Sequence, residues 1–331
     1  MKYLYNNKIK QYNMLYLFVN TAYLFIDNTN EKGVKMYKFV AIDIDGTLLN
    51  SRGLLSERTK EIVRRVTKTG VKIVLTSGRV TSSTKKIAEE LNVDRYMICD
   101  NGASIYDRLE NKVLFEAHID KKTVLEILDT CIENNIYYMV FTPTKIIVKD
   151  LKHMALAFYK QRHHCKDEAT GISEIIYGGR EYIEETNENF TRIIVCDQDR
   201  AIYKSIVNKL KNYDSVDLMA APHVSNKKIV EDGKEIFLSY SYAELLPKNT
   251  NKWIAIENLI NKLNIKPSEV IAIGDNFNDI DMIKNAGLGV AMNNGSPVAK
   301  EVASVVAPSN DRDGVAIVLE QYILRDNRNI Y

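Results

Sequence analysis

The chain is organised around one segment, Phe39-Val-Ala-Ile-Asp-Ile-Asp-Gly-Thr-Leu48. Its apolar beginning predicts a buried β-strand. Asp43 and Asp45 follow, and residues two apart in an extended chain point the same way, so we expect the two carboxylates to lie side by side where the strand ends. Such a pair repels, and a divalent cation or a shared proton would relieve the repulsion. Because Asp-x-Asp-Gly also occurs in plain acidic turns, the interpretation depends on partners elsewhere in the chain.

The composition limits the classes of function. A length of 331 residues suggests two domains. The 45 basic and 43 acidic side chains nearly cancel, which gives no indication of a nucleic-acid partner. The cysteines lie far apart, a spacing that predicts reduced thiols in the cytoplasm and neither a zinc site nor a disulfide framework. They are Cys99, Cys131, Cys165 and Cys196.

The first 35 residues are rich in Asn, Tyr and Lys. Residues 14–26 are mostly apolar, but this run is shorter than the ~20 residues that span a bilayer, so we expect no stable membrane insertion. Met36 lies just before the first predicted strand. We therefore expect residues 1–35 to be a disordered extension, or translation to start at Met36.

Helices and strands alternate regularly after the acidic turn. The predicted elements are helices over 56–69 and 82–91 and strands over 71–77 and 96–100. At this spacing they predict parallel βαβ units with right-handed crossovers. Ligands of such sheets bind beyond the carboxyl ends of the strands, so Ser77, Arg79 and Asn101 are expected to share one crevice with Asp43 and Asp45.

The middle of the chain lacks this regularity. Its mixed strands and helices predict a separate α+β domain inserted at 119–243. Within it, residues 153–164 are predicted to be helical and residues 171–182 irregular. The alternation then returns, which predicts that residues 36–118 and 244–331 together form one α/β core.

A second strand end is also acidic. Gly274-Asp275-Asn-Phe-Asn278-Asp279 follows the apolar strand predicted at 270–273, and Lys252 opens the helix before that strand. Hard oxygen ligands with few His or Cys nearby suit Mg²⁺, which needs only one or two protein carboxylates when water and substrate complete its coordination. Two acidic strand ends, a Ser-Gly-Arg strand end and a lysine together favour a site over unrelated acidic turns.

These segments resemble the four motifs of the haloacid dehalogenase-like phosphohydrolase superfamily, in its Cof-type branch (subfamily IIB). They are Asp43-Ile-Asp45-Gly46-Thr47, Val74-Leu-Thr-Ser77-Gly78-Arg79, Pro247-Lys-Asn-Thr-Asn-Lys252 and Gly274-Asp275-Asn-Phe-Asn278-Asp279. The resemblance covers about residues 36–331. It implies an α/β fold with a Rossmann-like, doubly wound parallel-sheet core and an inserted α+β cap of the C2 type. Trp253 departs from the small residue usual after the motif lysine, which puts the helix start or the site entrance in doubt.

The resemblance also implies a magnesium-dependent phosphatase that works through an aspartyl-phosphate. Asp43 would be the nucleophile, Asp45 a general acid and base that is protonated at the outset, and Lys252 the cation beside nucleophile and phosphate. The phosphate is expected to bind Thr47, Ser77, Gly78, Arg79 and Asn278, with a surface carboxylate as the alternative partner of Arg79. The metal is expected at Asp43, the main-chain carbonyl of Asp45, and Asp275, with Asn278 and Asp279 orienting the metal's surroundings or Lys252.

Several alternatives stay open. The expected partner is a small phosphorylated metabolite, with sugar phosphates ahead of pyridoxal phosphate, FMN and nucleotides. A phosphotransferase such as a phosphohexomutase is disfavoured by the large insert. A receiver-type signalling protein would share the acidic strand ends, the Mg²⁺ and the lysine, but such domains lack an inserted lid and an Asp-Gly-Thr after the nucleophile. A non-catalytic member of the fold is disfavoured because every motif position is present.

Overall fold

The structure is a computed structural model, and it describes residues 36–93, 95–153, 155–156, 159, 174–220, 224–231 and 234–324. The predictions for residues 1–35 and for Cys165, and most of the helix predicted at 153–164, lie outside these residues. None of the described helices is both long enough and apolar enough to cross a bilayer.

Strands and helices alternate along most of the described chain. The strands are β1 (Phe39–Asp43), β2 (Lys72–Thr76), β3 (Tyr96–Cys99), β4 (Ser104–Asp107), β5 (Lys112–Glu116), β6 (Tyr137–Phe141), β7 (Lys145–Val148), β8 (Glu174–Tyr177), β9 (Arg192–Asp197), β10 (Val216–Ala220), β11 (Ser225–Glu231), β12 (Lys234–Pro247), β13 (Val270–Gly274), β14 (Leu288–Met292) and β15 (Val305–Ala307). The helices are α1 (Glu57–Thr67), α2 (Thr81–Leu91), α3 (Lys121–Glu133), α4 (Gly179–Glu185), α5 (Arg200–Leu210), α6 (Lys252–Lys262), α7 (Ile280–Asn285), α8 (Pro297–Val302) and α9 (Gly314–Leu319).

The first sheet has eight strands in the order β15-β14-β13-β1-β2-β3-β4-β5. The six strands from β15 to β3 are parallel, and β4 and β5 continue the sheet as an antiparallel hairpin that the sequence did not predict. The strand order reverses between β1 and β13. Ligand-binding crevices form at such a reversal, so this topology predicts a binding site at the carboxyl ends of β1 and β13.

Helices cover both faces of the first sheet. Along β1, Val40 and Ile42 pack in one apolar cluster with α1, α2 and α9, whereas Phe39 and Ala41 pack in another with α6 and α7. This alternation explains why the strand is apolar throughout: a parallel strand with helices on both sides is buried on both faces. Trp253 lies in the second cluster with 8% of its surface exposed, so its ring is part of the core beneath the sheet.

The second sheet has the order β10-β12-β9-β6-β7-β8, and β11 pairs with β12. Most of its pairs are antiparallel, and one face packs against α3, α4 and α5. Strand β12 stays in this sheet as far as Pro247, which pairs with Val216. The boundary predicted at 243/244 therefore falls within a strand.

The prediction that residues 171–182 are irregular is wrong for the part that the structure describes. Strand β8 pairs in parallel with β7, and α4 begins at Gly179. The four residues of β8 give too short a pattern to identify from sequence, because the hydrogen bonds that make them a strand come from β7. The tandem glycines Gly178 and Gly179 form the start of a helix.

Candidate active site

The first and last predicted acidic segments meet at the strand reversal. Asp43 is the last residue of β1, and Asp275 directly follows the last residue of β13. The two strands are parallel neighbours with Ile42 opposite Ile273, which brings both carboxylates to the same edge of the sheet. Asp43 is buried, with 5% of its surface exposed.

Lys252 joins these strand ends from the first turn of α6. Its side chain is 1% exposed, and its ammonium group donates to Asp43 Oδ1 at 2.5 Å and to Asp279 Oδ1 at 2.6 Å. Burial alone would lower the pKa of Lys252, but the carboxylates of Asp279 and Asp43 outweigh it and raise this pKa above its ordinary value. A buried ammonium group is tolerated because it has these partners.

Asp279 organises the loop after β13. Besides binding Lys252, it accepts hydrogen bonds through Oδ2 from the main-chain N–H groups of Asp275 and Asn276, both at 3.0 Å. Gly274 allows this approach, since a Cβ at that position would lie 2.5 Å from the Cβ of Asp279. The loop is therefore held in one shape by a fully buried carboxylate.

The strand ends carry more negative charge than Lys252 balances. Burial, together with the nearby Asp279 and Asp275, raises the pKa of Asp43 well above its usual range, and Lys252 opposes this in part. Burial and then Asp279 raise the pKa of Asp275 to about 7. A bound cation would favour the ionised form of both groups.

The donor set fits a divalent metal. Oxygens of Asp43, Asp275 and Asp279 lie within 4.8 Å of one another. Asp279 already uses both oxygens for Lys252 and the loop backbone, so Asp43 and Asp275 are the better candidates for ligands. A site made only of carboxylate oxygens suits a hard cation such as Mg²⁺.

Gly46 and Thr47 position Asp275. Thr47 donates a hydrogen bond from its hydroxyl to Asp275 Oδ1 at 3.1 Å. Gly46 has a φ of +84°, and a Cβ there would lie 2.4 Å from Asp275 Oδ2. Only glycine allows both this conformation and this approach. Thr47, predicted as a phosphate ligand, thus holds a candidate metal ligand in the structure.

Asp45 is in a different environment from Asp43. Its carboxylate accepts from Arg79 Nε at 2.7 Å and from Arg79 Nη2 at 2.6 Å, which is a bidentate pair. Its side chain is 60% exposed. The structure therefore shows Asp45 as the acceptor of a bidentate pair with Arg79, and its protonation at the start of the reaction stays a prediction.

The second motif approaches from β2. Asp43 pairs with Thr76, and the buried Ser77 follows directly. Ser77 accepts from the N–H of Arg79 at its hydroxyl, and from the N–H of Asn101 at its carbonyl. The structure thus brings Ser77 and Arg79 to the strand ends where they were predicted.

A model of the haloacid dehalogenase-like hydrolase family matches residues 40–319. The chain belongs to this family.

Three similar proteins match this chain over nearly their whole length. Phosphatase YwpJ of Bacillus subtilis is 29% identical over 295 residues, covering 86% of this chain and 100% of YwpJ. A solved haloacid dehalogenase-like hydrolase from B. subtilis has a TM-score of 0.69 at 26% identity, covering 86% of this chain and 99% of its own. The subclass IIB sugar phosphatase BT4131 shares the fold, with a TM-score of 0.67 at 19% identity over 86% of this chain and 98% of its own.

The resemblance drawn from the four motifs is therefore confirmed: the chain is a hydrolase of the haloacid dehalogenase-like family, and its fold matches that of subclass IIB. The predicted α/β class is confirmed as well.

Sequence reasoning missed two residues of this family member that reach the site from the second sheet. Glu244 of β12 accepts from the side chain of Asn101 at 2.8 Å, and Arg192 of β9 donates to the carbonyl of Gly78 at 3.1 Å. The sequence features that could have indicated them are a carboxylate within the apolar C-terminal part of β12 and an arginine at the first position of the apolar strand β9. Neither forms a local motif, because their partners lie more than a hundred positions away in the chain.

Proposed function

We propose that this hydrolase is a magnesium-dependent phosphatase that cleaves small phosphate monoesters through an aspartyl-phosphate on Asp43. One observation carries the proposal: Asp43, buried at the strand reversal, is held by Lys252 beside the second carboxylate of Asp275. This arrangement fixes a nucleophile and a cation at one point, which is what phosphoryl transfer requires.

The metal would be held by Asp43, Asp275 and the main-chain carbonyl of Asp45. When bound, Mg²⁺ would offset the repulsion between an anionic nucleophile and an anionic phosphate. Burial first, and then the neighbouring carboxylates, raise the pKa of both Asp43 and Asp275, so a bound cation would stabilise the ionised form of each.

In the first step a carboxylate oxygen of Asp43 attacks phosphorus, and the bond from phosphorus to the leaving oxygen breaks. Lys252 stays beside Asp43 and places its charge where the transferring phosphoryl group gathers negative charge. Splitting the hydrolysis into two displacements lowers a barrier that is among the highest known for an uncatalysed biological reaction.

Asp45 would supply the proton. Asp45 would enter the first step protonated and give that proton to the leaving oxygen. In the second step it would take a proton from the water that attacks the phosphoaspartate, which restores both Asp43 and Asp45. For this, Asp45 must exchange its partner Arg79 for the leaving oxygen. The Asp45–Arg79 pair is partly exposed, and such pairs are worth only ~0–1 kcal/mol, so the exchange is inexpensive.

The remaining predicted contacts complete the proposal. Thr47, Ser77, Gly78, Arg79 and Asn278 would bind or orient the phosphate, and Asp279 would hold Lys252 and the loop. The second sheet would serve as the C2-type cap of the predicted insert at 119–243, over a core of 36–118 and 244–331. We place the enzyme in the cytoplasm because Cys99, Cys131 and Cys196, the cysteines that the structure describes, are buried and form no disulfide among the described residues.

The test is phosphate release from p-nitrophenyl phosphate and from a panel of phosphorylated metabolites, with and without Mg²⁺. Wild-type protein should release phosphate only with the metal, and fastest from sugar phosphates. Asp43→Asn should be inactive while it unfolds cooperatively like wild type. Full activity of that variant would refute the nucleophile, and a panel in which nothing exceeds the aryl phosphate would refute the sugar-phosphate class.

A further inference from the structure

Two charged residues of the second sheet form a buried pair at the edge of the site. Arg192 and Glu244 are 7% and 9% exposed. Arg192 Nη1 donates to Glu244 Oε2 at 3.3 Å and to the carbonyl of Gly78 at 3.1 Å. The Cζ of its guanidinium group lies 4.2 Å from the centroid of the Phe141 ring. A buried charge pair with several contacts is held far more firmly than a surface pair.

Glu244 continues the network into the first sheet. Its Oε2 accepts from Asn101 Nδ2 at 2.8 Å, and Asn101 Oδ1 in turn accepts from Asn278 Nδ2 at 3.0 Å. Asn278 lies in the same loop as Asp275 and Asp279. A continuous path of hydrogen bonds therefore runs from the second sheet to the acidic loop of the site.

The donors and acceptors along this path fix the orientation of the Asn101 side-chain amide. A carboxylate such as Glu244 only accepts, so it requires the NH₂ end of the Asn101 side chain. The oxygen of that side chain must then face Asn278, which donates to it. Without Glu244, the Asn101 amide could turn over and set its NH₂ against the NH₂ of Asn278.

We propose that Glu244, held by Arg192, is a positioning residue that fixes the Asn101 amide and through it Asn278 at the phosphate end of the site. Docking of the second sheet then completes the arrangement of the acidic loop, even though Glu244 takes no part in bond making. The proposal rests on the proposed phosphatase function for its kinetic consequences, and on the hydrogen bonds alone for its structural ones.

The kinetic test compares three single variants, Glu244→Ala, Glu244→Gln and Asn278→Ala, with the double variant that combines Glu244→Ala and Asn278→Ala. Glu244→Ala should lower kcat about 10- to 100-fold, the usual loss when a residue that orients an active group is removed. The fall should be equal for p-nitrophenyl phosphate and for a sugar phosphate. The Glu244→Gln variant keeps an acceptor for Asn101, so it should recover part of the loss.

The double variant should be no slower than Asn278→Ala, because both substitutions disturb one path. If the two losses in kcat multiplied in the double variant, the two residues would act independently, and the proposal would be overturned. So would a rise in KM for the sugar phosphate alone with kcat unchanged, since that result would make Glu244 a contact for the leaving group.

Glu188→Ala is the matched control. Glu188 is another carboxylate of the part of the chain that carries the second sheet, and it is bound by Lys145 at 2.7 Å and by the Tyr182 hydroxyl at 2.6 Å. Its removal should leave kcat like that of wild type, which separates positioning from a general weakening of the second sheet.

Hydrogen exchange gives a readout that needs no substrate. The main-chain N–H of Asn101 donates to the Ser77 carbonyl at 3.0 Å. Its exchange should be faster in Glu244→Ala and unchanged in Glu188→Ala. If the protein hydrolyses no phosphate ester, the proposed function fails and this readout still decides the positioning role. Equal exchange in wild type and Glu244→Ala would overturn it.

Discussion

Asp43 and Asp45 are separated by a single residue, yet their ion pairs lie in opposite environments. The side chains of the Asp43–Lys252 pair are 7% and 1% exposed, whereas those of the Asp45–Arg79 pair are 60% and 26% exposed. Breaking a buried pair leaves a charge without solvent, while a pair near water separates easily. Location, and not residue type, therefore fixes one carboxylate and leaves its neighbour free to exchange partners.

This division matches two chemical roles. An attacking carboxylate benefits from one fixed geometry, because small misplacements reduce the rate strongly. A group that gives a proton to one oxygen and later takes one from water must meet two partners. The fixed Asp43 and the exchangeable Asp45 fit the nucleophile and acid–base roles that we propose for them.

The largest effect is expected from Lys252→Met, which breaks the buried pair. It leaves Asp43 and Asp279 buried without their cation, and removal of one partner from such a pair costs about 3–5 kcal/mol of stability. Loss of the charge beside the phosphoryl group should also lower kcat by about 10²–10³. Urea unfolding and phosphate release would measure the two effects.

Lys248→Met is the matched control, because Lys248 is half exposed and pairs with Asp217 at 3.1 Å in the same segment. This variant should lose only ~0–1 kcal/mol. Similar losses in the two variants would contradict the distinction between buried and exposed pairs.

The next effect concerns the approach of Gly46 to Asp275. In Gly46→Ala the added Cβ would lie 2.4 Å from Asp275 Oδ2, so the candidate metal ligand must move. We expect the affinity for Mg²⁺, measured by calorimetry, to fall about 10- to 100-fold.

Gly70→Ala controls for backbone strain, since Gly70 has nearly the same φ of +86° but no atom within 4 Å of the added carbon. It should lose stability and keep the metal affinity of wild type. An equal loss of affinity in both variants would show that strain, and not contact with Asp275, is responsible.

A smaller effect concerns pH in the absence of metal. The pKa of Asp275 is about 7 in the folded protein, against an ordinary 3.8, so the folded state holds a proton that the unfolded state has lost. The contribution of Asp275 to stability should therefore fall as pH rises from about 4 to about 7 and level off above that range. Thermal unfolding in a chelator would show the fall, and it should be weaker in Asp275→Asn. The same slope in both proteins would contradict the assignment.

The smallest effect is expected from Arg79→Ala, which breaks the exposed pair. The lost ion pair should cost ~0–1 kcal/mol and the lost hydrogen bond to Ser83 about 1 kcal/mol more, which together stay below the cost of Lys252→Met. Arg79→Lys keeps the charge but not the bidentate geometry, and it should unfold like Arg79→Ala. A loss comparable to that of Lys252→Met would mean that Asp45 is as fixed as Asp43.

Sequence alone predicted the parts of the site that follow from strand order. Asp43, Ser77 and Asp275 each stand at the end of an apolar strand, and parallel strands bring their carboxyl ends to one edge. The sequence did not decide whether Arg79 binds the phosphate or a carboxylate. That choice depends on the geometry between Arg79 and Asp45, which are 34 positions apart in the chain.

The missed features depend on tertiary register. Glu244 and Arg192 acquire meaning only when β9 and β12 are aligned over Asn101 and Gly78. The β4–β5 hairpin was missed because its strands are short and lie at the end of an otherwise parallel sheet. Asp279 was expected near the metal, but only the structure shows that both its oxygens are occupied.

The most direct measurement of the central claim is the mass of Asp45→Asn protein quenched in acid during turnover of p-nitrophenyl phosphate. Without Asp45 to activate water, the first displacement should outpace the second, so the protein should carry one phosphoryl group. Peptide mapping should place that group on Asp43. Release of phosphate with no phosphorylated protein, or a phosphoryl group on any other residue, would contradict the account.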